Sequence, residues 1–232
     1  MRRTSRRRSL RLGDLLFALA GRRGDPVAVY DHLAPRYERV HGRWLRAGGA
    51  EALAALEGCL AAELRPGARV LDAACGTGAL ARWIAEHEPR ARLTMLDAAP
   101  GMLARAAAVP GRRVQGDLGA LPFADGAFDI VTCAWGLETL ADPARGLSEL
   151  GRVLAPGGLL AYCFCTAPRR WSVRARSLPM RLAVEHVFGG RFLRADFSPG
   201  LDGARARRVH GRLGLSTFVC YRKPAAAGAG RR

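Results

Sequence analysis

Between Arg65 and Cys165 the chain alternates short, almost wholly apolar runs with longer stretches whose apolar residues recur every three to four positions. The first pattern fits strands covered on both faces, the second fits amphipathic helices. "ARVLDAA" reads as a strand and "GALARWIAEHE" as a helix; "ARLTMLD" is a strand, and Pro100 opens the helix "PGMLARAAA". "RRVQGD" gives a short strand and "AFDIVTCAW" a longer one. "DPARGLSELGRVL" is a helix with Asp142 as cap and Pro143 at its first position, and Pro156-Gly157-Gly158 turns the chain into a strand at "LLAYCFC". Ahead of this core, Asp25-Pro26 starts a helical stretch interrupted near Pro35. A second helix, "GAEALAALEGCLAAEL", ends at Arg65-Pro66-Gly67. Beyond Thr166 the pattern weakens through an arginine-rich segment. It resumes in "ARRVHGRLGLSTFVCYRKP", an antiparallel hairpin turning near Gly211–Gly214. Alternation of this kind specifies an α/β protein, doubly wound, with a mostly parallel sheet and helices on both faces.

Composition adds a charge map. The chain has 232 residues, a size for one ordinary domain with appendages, and a net charge of +17. Residues 1–65 hold 13 Arg against 7 acids, residues 66–165 hold 9 against 10, and residues 166–232 hold 15 basic residues against 3 acids. Basic flanks around a neutral middle favour an acidic substrate, an anionic membrane surface or nucleic acid. Solvated surface arginine in an Arg- and Ala-rich composition is the plainer account. The six cysteines have no C-x-x-C pair and no zinc-like Cys/His spacing, so they read as reduced thiols of a cytoplasmic protein with no metal site. Ser5–Arg11 has the look of a twin-arginine export signal, but the apolar run from Leu12 to Ala20 is short and carries Asp14. The expectation is a flexible basic arm over residues 1–24 leading into a short amphipathic helix, peripheral to a membrane at most. No stretch is long enough to span a bilayer.

The chemistry gathers at strand ends, where open α/β sheets bind ligands. The first strand stops in the loop Ala74-Cys75-Gly76-Thr77-Gly78, with Asp72 at its root. A glycine-rich loop suits a phosphate, but a carboxylate there repels one and attracts an ammonium group. Asp97 closes the second strand, 19 residues after Gly78, where a carboxylate accepts ribose hydroxyls. Asp117 ends the third strand within reach of an exocyclic amine. Three acids at three neighbouring strand ends describe a site for S-adenosylmethionine.

The motifs "VLDAACGTGAL", "LDAAPGML", "GDLGALPFADGAFDIVTCAWGLETLADP" and "ELGRVLAPGGLL" resemble those of class I S-adenosylmethionine-dependent methyltransferases, over about Tyr30 to Cys165. Within that superfamily they are most similar to the group containing the ubiquinone and menaquinone C-methyltransferases. The resemblance implies a Rossmann-like seven-stranded sheet with the C-terminal antiparallel hairpin, and S-adenosyl-L-methionine as cofactor. Asp72 with Ala74, Cys75, Gly76, Thr77 and Gly78 would meet its methionine part. Asp97 and Ala98 would hold the ribose, Met102 would pack on the adenine, and Asp117 and Leu118 would frame the adenine rim. Trp135 would stand between cofactor and substrate, and Tyr30 and Tyr37, in "YDHLAPRY", would close as a lid. The chain then divides into the basic arm at 1–24, a helical lid at 25–65 and the cofactor-binding core at 66–165. A basic substrate flap follows at 166–204, then the hairpin at 205–223 and a disordered tail at 224–232.

Methyl transfer needs alignment and a dry site above all, and a base only when the acceptor must lose a proton. Glu138, Trp135 and Cys133 stand near the right loop, but none is identified as a catalytic base, and Glu138 reads most simply as a solvent-facing loop acid. No N/D-P-P-Y/F sequence follows the fourth strand, which argues against methylation of base or glutamine amines. The flanks mix arginine with Trp, Phe, Leu and Met, so the expected acceptor is a small or lipid-like molecule, apolar or aromatic and carrying negative charge or held at an anionic membrane. An RNA-modifying methyltransferase and a non-catalytic cofactor-fold subunit are the alternatives. Ala74 stands where the family's loop has its first glycine.

Overall fold

A computed structural model describes residues 25–201, 206–211 and 213–225. The expected basic arm at 1–24 and most of the expected disordered tail therefore lie outside the described residues. Five strands fall where the apolar pattern requires, with a helix in each gap except the one between the third and fourth, which a loop fills. They are β1 (Arg69–Ala73), β2 (Arg92–Asp97), β3 (Arg112–Gln115), β4 (Phe128–Ala134) and β5 (Leu154–Cys165). Two more, β6 (Ala206–His210) and β7 (Ser216–Arg222), form the C-terminal hairpin. The sheet order is β3-β2-β1-β4-β5-β7-β6, parallel from β3 to β5 and antiparallel where β7 pairs with β5 and β6. The strand order reverses between β1 and β4, which opens a crevice at their carboxyl ends.

Among the described residues, three α-helices precede the sheet: α1 (Pro26–Leu33), α2 (Tyr37–Trp44) and α3 (Ala50–Ala61). Asp25 caps α1 by accepting the Val27 N–H at 2.9 Å. Pro35 falls in a single 3-10 turn, Ala34–Arg36, which redirects the chain between α1 and α2. The core helices are α4 (Ala79–His87), α5 (Pro100–Arg105) and α6 (Pro143–Val153). Asp142 caps α6 by accepting the Ala144 and Arg145 N–H groups at 3.0 and 3.1 Å. The basic segment after β5 contains α7 (Trp171–Arg176) and α8 (Leu178–Val187).

The core lies on both sheet faces. Leu56, Leu60, Val70, Ile84 and Met95 pack on one side, and Leu71, Val131, Leu150, Leu160 and Phe164 on the other. Burying such side chains contributes roughly 1.5–3 kcal/mol each. One expected turn is different. Pro156-Gly157-Gly158 lies inside β5, which starts directly after α6. The register jumps from Phe128 opposite Leu154 to Ile130 opposite Leu159, a bulge. Gly157 takes φ +76°, and a Cβ on Gly158 would sit 2.8 Å from the Ala155 and Asp129 carbonyl oxygens. Glycines here fold a bulge into the strand rather than precede it.

Candidate functional site

The carboxyl ends of β1, β2 and β4, with α1 and α2 above them, enclose a cavity of about 440 Å³. Tyr30, Tyr37, Ala74, Gly76, Asp97, Ala98, Asp117, Leu118 and Trp135 all line it. The sequence therefore brings nine of its expected site residues to one wall.

Asp97 fastens the loop to β2. Its Oδ2 accepts the Gly76 N–H at 2.8 Å and its Oδ1 the Ala99 N–H at 2.9 Å. Burial pushes its carboxyl up, and the two backbone N–H donors work against that shift. Gly76 and Gly78 take φ +55° and +79°. Ala74 takes φ +55° and Trp135 +58°, left-handed values that cost a side-chain-bearing residue about 1–2 kcal/mol. A Cβ placed on Gly136 would lie 2.4 Å from the Ala74 Cβ, so the methyl at 74 is accommodated by the glycine at 136.

Asp72 reaches a different space. It is 1 % exposed and lines a cavity of about 130 Å³ that shares Tyr37, Ala74, Gly76 and Trp135 with the large one and also includes Cys75 and Thr77. Thr132 Oγ1 donates to Asp72 Oδ1 at 2.8 Å, while Oδ2 has no hydrogen-bond partner. Burial pushes this carboxyl up to about 7. An unpartnered, desolvated carboxylate oxygen calls for a cationic donor. Thr132, which holds the acid in place, carries no sequence signal beyond being a polar residue in an apolar strand.

Two expected residues lie elsewhere. Met102, 1 % exposed, packs with Ala34, Ala99, Val27, Tyr30 and Tyr37 under the helices and does not line the cavity. Gly78 faces the turn after α5: a Cβ there would meet Ala106 Cβ at 3.0 Å, so close helix packing accounts for this glycine. Asp117 stands two residues past β3 rather than in it, and its Oδ1 accepts the Gly119 N–H at 2.8 Å. Sequence reasoning also missed Asp31, whose Oδ1 accepts the Gly101 N–H at 2.6 Å and ties α1 to the start of α5.

A third cavity, of about 70 Å³, adjoins the first through Tyr30, Tyr37, Trp135 and Thr139. Its other walls are Val40, His41 and Trp44 of α2, Glu138, Cys165, and Val184, Phe188 and Gly190 of the segment after β5. The aromatic rings form a chain. Tyr30 and Tyr37 lie 6.0 Å apart, His41 stacks on Tyr37 at 5.6 Å, and Trp135 meets His41 edge-on at 5.2 Å and Trp44 at 6.3 Å. Glu138, expected to face solvent, is 2 % exposed. It sits in a one-turn helix, Leu137–Thr139, whose short reach turns it inward.

The large cavity carries Asp25, Asp97 and Asp117 and, among the described residues, no arginine or lysine. A phosphate finds no counter-charge there. A ligand with a sulfonium, an ammonium group and a ribose fits the acids on this wall and the unpartnered Asp72 oxygen.

Residues 71–162 match the family model for a methyltransferase domain. The demethylmenaquinone methyltransferase of Thermus thermophilus is 44 % identical over 138 residues, which is 57 % of this chain and 62 % of that protein. Its counterpart from Deinococcus radiodurans is 38 % identical over 146 residues, 57 % of this chain and 56 % of that protein. The matched region thus spans about three-fifths of the length of these curated relatives. A solved methyltransferase of Thermotoga maritima, dependent on S-adenosylmethionine, superposes with a TM-score of 0.60 at 17 % identity, covering 84 % of this chain and 99 % of that one, a likeness of fold. Residues 71–162 thus carry a methyltransferase domain, and over that region the chain is similar to the demethylmenaquinone methyltransferases, on a sheet that shares its fold with a methyltransferase dependent on S-adenosylmethionine.

Proposed function

We propose that the protein transfers the methyl group of S-adenosylmethionine to a quinol-type aromatic acceptor, a small or lipid-like molecule held at the aromatic cavity. The observation that carries this reading is the junction of two unlike cavities. The acid-lined one suits the cofactor, and the aromatic faces of Tyr30, Tyr37, His41, Trp44, Trp135 and Phe188 suit a flat apolar ring lying across the junction of the two. Tyr37 and Trp135 belong to both, so the reacting groups would meet beside them. The name borne by the matched relatives, demethylmenaquinone methyltransferase, agrees with such an acceptor.

When bound, the cofactor supplies a methyl on a positively charged sulfur, already activated for in-line displacement. The chain supplies position and dryness. Asp97 holds the glycine loop against β2 and presents its carboxylate at the cavity wall, the place for the ribose hydroxyls. Asp72 offers an unpartnered oxygen to the ammonium end. The helices α1 and α2 exclude water from above. Alignment of this kind is worth up to about 7–11 kcal/mol of the barrier in favourable cases.

The flap supports delivery from a membrane. Trp171, Leu178 and Leu182 are 81 %, 48 % and 42 % exposed, among exposed Arg169, Arg170, Arg174 and Arg176, while Val184 and Phe188 line the acceptor cavity. An outer face of apolar and basic residues suits an anionic lipid surface.

The test is transfer of labelled methyl to a prenylated 1,4-dihydroxynaphthalene kept reduced, with flotation on anionic vesicles alongside. Cofactor binding without transfer to the diol refutes the acceptor class. Absence of co-flotation at low salt refutes the membrane part.

A further inference from the structure

We propose that Glu138 is the proton acceptor of this site, its free carboxylate oxygen taking the proton of an aromatic hydroxyl on the acceptor. The inference rests on the function proposed above and assigns the base that methylation of a hydroxylated ring requires.

Glu138 is held from three sides. Its Oε1 accepts the Cys165 N–H at 3.0 Å, its carbonyl accepts the Arg191 N–H at 3.0 Å, and its chain neighbours form the short helix after β4. Its Oε2 is buried and has no hydrogen-bond partner, on the wall of the aromatic cavity. A carboxylate fixed by one oxygen and open at the other is oriented and still able to receive a proton.

The groups facing it leave no rival. Tyr30 of α1 and Tyr37 of α2 are pushed up by burial and stay protonated, as do Cys133 of β4 and Cys163 and Cys165 of β5. Burial pushes His41 of α2 down, against the pull of Glu38, and so favours its uncharged form. Arg191 directs its guanidinium to the Ala141 carbonyl at 3.2 Å, and no arginine or lysine among the described residues lines this cavity. Burial pushes the Glu138 carboxyl up to about 7, which lets it exchange protons near neutral pH.

The step balances. The hydroxyl proton passes to Oε2, and the electron pair left on the acceptor attacks the methyl. The S–CH3 bond breaks with its electrons staying on sulfur, which becomes a neutral thioether. For attack through oxygen, Glu138 then releases the proton to water. For attack through a ring carbon, the hydrogen displaced from that carbon is the proton released, and Glu138 returns its own to the oxygen.

Glu138→Gln separates this role from a packing role, because glutamine keeps an oxygen for the Cys165 N–H. The assay is calorimetric binding of naphthalene-1,4-diol, under reducing conditions, to the full chain loaded with S-adenosylhomocysteine from pH 5.5 to 8.5, with turnover measured in parallel. Wild type should bind more tightly as pH rises through about 7. Glu138→Gln should bind at least about tenfold more weakly at pH 8 with no pH dependence. Its kcat should fall about a hundredfold or more, while cofactor affinity stays within about twofold, and Glu138→Asp should recover part of the activity. A Glu138→Gln protein with the wild-type pH profile and kcat within about threefold overturns the inference. If wild type binds the cofactor but no diol, the acceptor class falls and this inference falls with it. If it binds no cofactor, the proposed function itself is wrong.

Discussion

Replacing Asp72 by asparagine should make the empty protein more stable at pH 8 while weakening its hold on the cofactor. Burial raises this carboxyl from near 3.9 to about 7, close to three pH units, and each unit is worth 1.36 kcal/mol. Ionised Asp72 therefore costs about 4 kcal/mol as an upper bound. The sign follows from linkage. Its folded pKa exceeds its unfolded one, so the favourable contribution is complete below about pH 4 and is lost as pH rises through 7. Asparagine keeps an oxygen for Thr132 but puts an N–H2 where Oδ2 has no partner, a cost of roughly 1–3 kcal/mol. The net expectation is a gain of about 1–3 kcal/mol at pH 8, a rise in melting temperature of roughly 2–10 °C for a domain of this size. At pH 5 the gain should vanish or turn into a small loss. Differential scanning fluorimetry at the two pH values reads the stability, and calorimetry with S-adenosylmethionine should show at least about a tenfold loss of affinity, about 1.4 kcal/mol. Equal destabilisation at both pH values with unchanged affinity would refute the reasoning. It would make Asp72 a structural acid and the cation reading of the loop wrong.

Ala74→Gly removes a left-handed alanine, relieving about 1–2 kcal/mol, but adds glycine's entropy cost of about 0.5–1 kcal/mol, so cofactor affinity should change by less than tenfold in the calorimeter. Gly136→Ala should cost more than about 2 kcal/mol in urea unfolding, since its Cβ would meet that of Ala74 at 2.4 Å, and Ala74→Gly should recover part of the loss in a double-mutant cycle. Cys59 and Cys220 hold their sulfurs 2.7 Å apart between α3 and β7, so mild oxidation should join them first; peptide mapping should find that crosslink in wild type and lose it in Cys59→Ser. Arg152 donates to both Glu149 oxygens, to Asp125 and to the Leu121 and Phe123 carbonyls, a planar fan that lysine cannot copy. Arg152→Lys should lose about 1–2 kcal/mol in urea unfolding, and an unchanged midpoint would show the fan to be ornamental.

Periodicity exposed the sheet because β1, β4 and the inner part of β5 are buried on both faces, leaving few polar residues to blur the run, whereas β3, with Arg112, Arg113 and Gln115 exposed, was legible only from its place in the alternation. The place of Asp97 was readable for the same reason: an acid closing an apolar strand marks its carboxyl end, and the structure sets it on the wall of the large cavity. The hairpin at Ala206–His210 and Ser216–Arg222 was readable too, from a turn-rich gap between two short runs. The misreadings share a cause, which is that they depend on what stands across from a residue. Gly78 and Gly158 answer to neighbours remote in sequence or across the strand, Ala106 in one case and Asp129 in the other, and no local pattern names those partners. Met102 looked like an adenine platform, but α1 and the turn at Ala34 occupy the space above it. Glu138 looked like a surface acid because a three-residue turn has no periodicity from which to tell inside from outside.

Net charge was the least instructive reading, and the site explains why. Basic flanks and a total of +17 suggested an acidic substrate, an anionic membrane surface or nucleic acid, yet the three cavities at the strand ends carry Asp25, Asp72, Asp97, Asp117, Glu57 and Glu138 and, among the described residues, no arginine or lysine. An arginine on those walls would pair with Asp97 or Asp72 and occupy the place of the cofactor's cationic groups. It would also hold Glu138 ionised and lower its worth as a base. Arginine can accumulate on the outside, where an exposed charge contributes little either way, but inside these cavities each one would cancel a function. The basic excess therefore bears on what the surface approaches, an anionic membrane in the reading proposed above. The ligand of the cleft is read from the acids left unpaired within it.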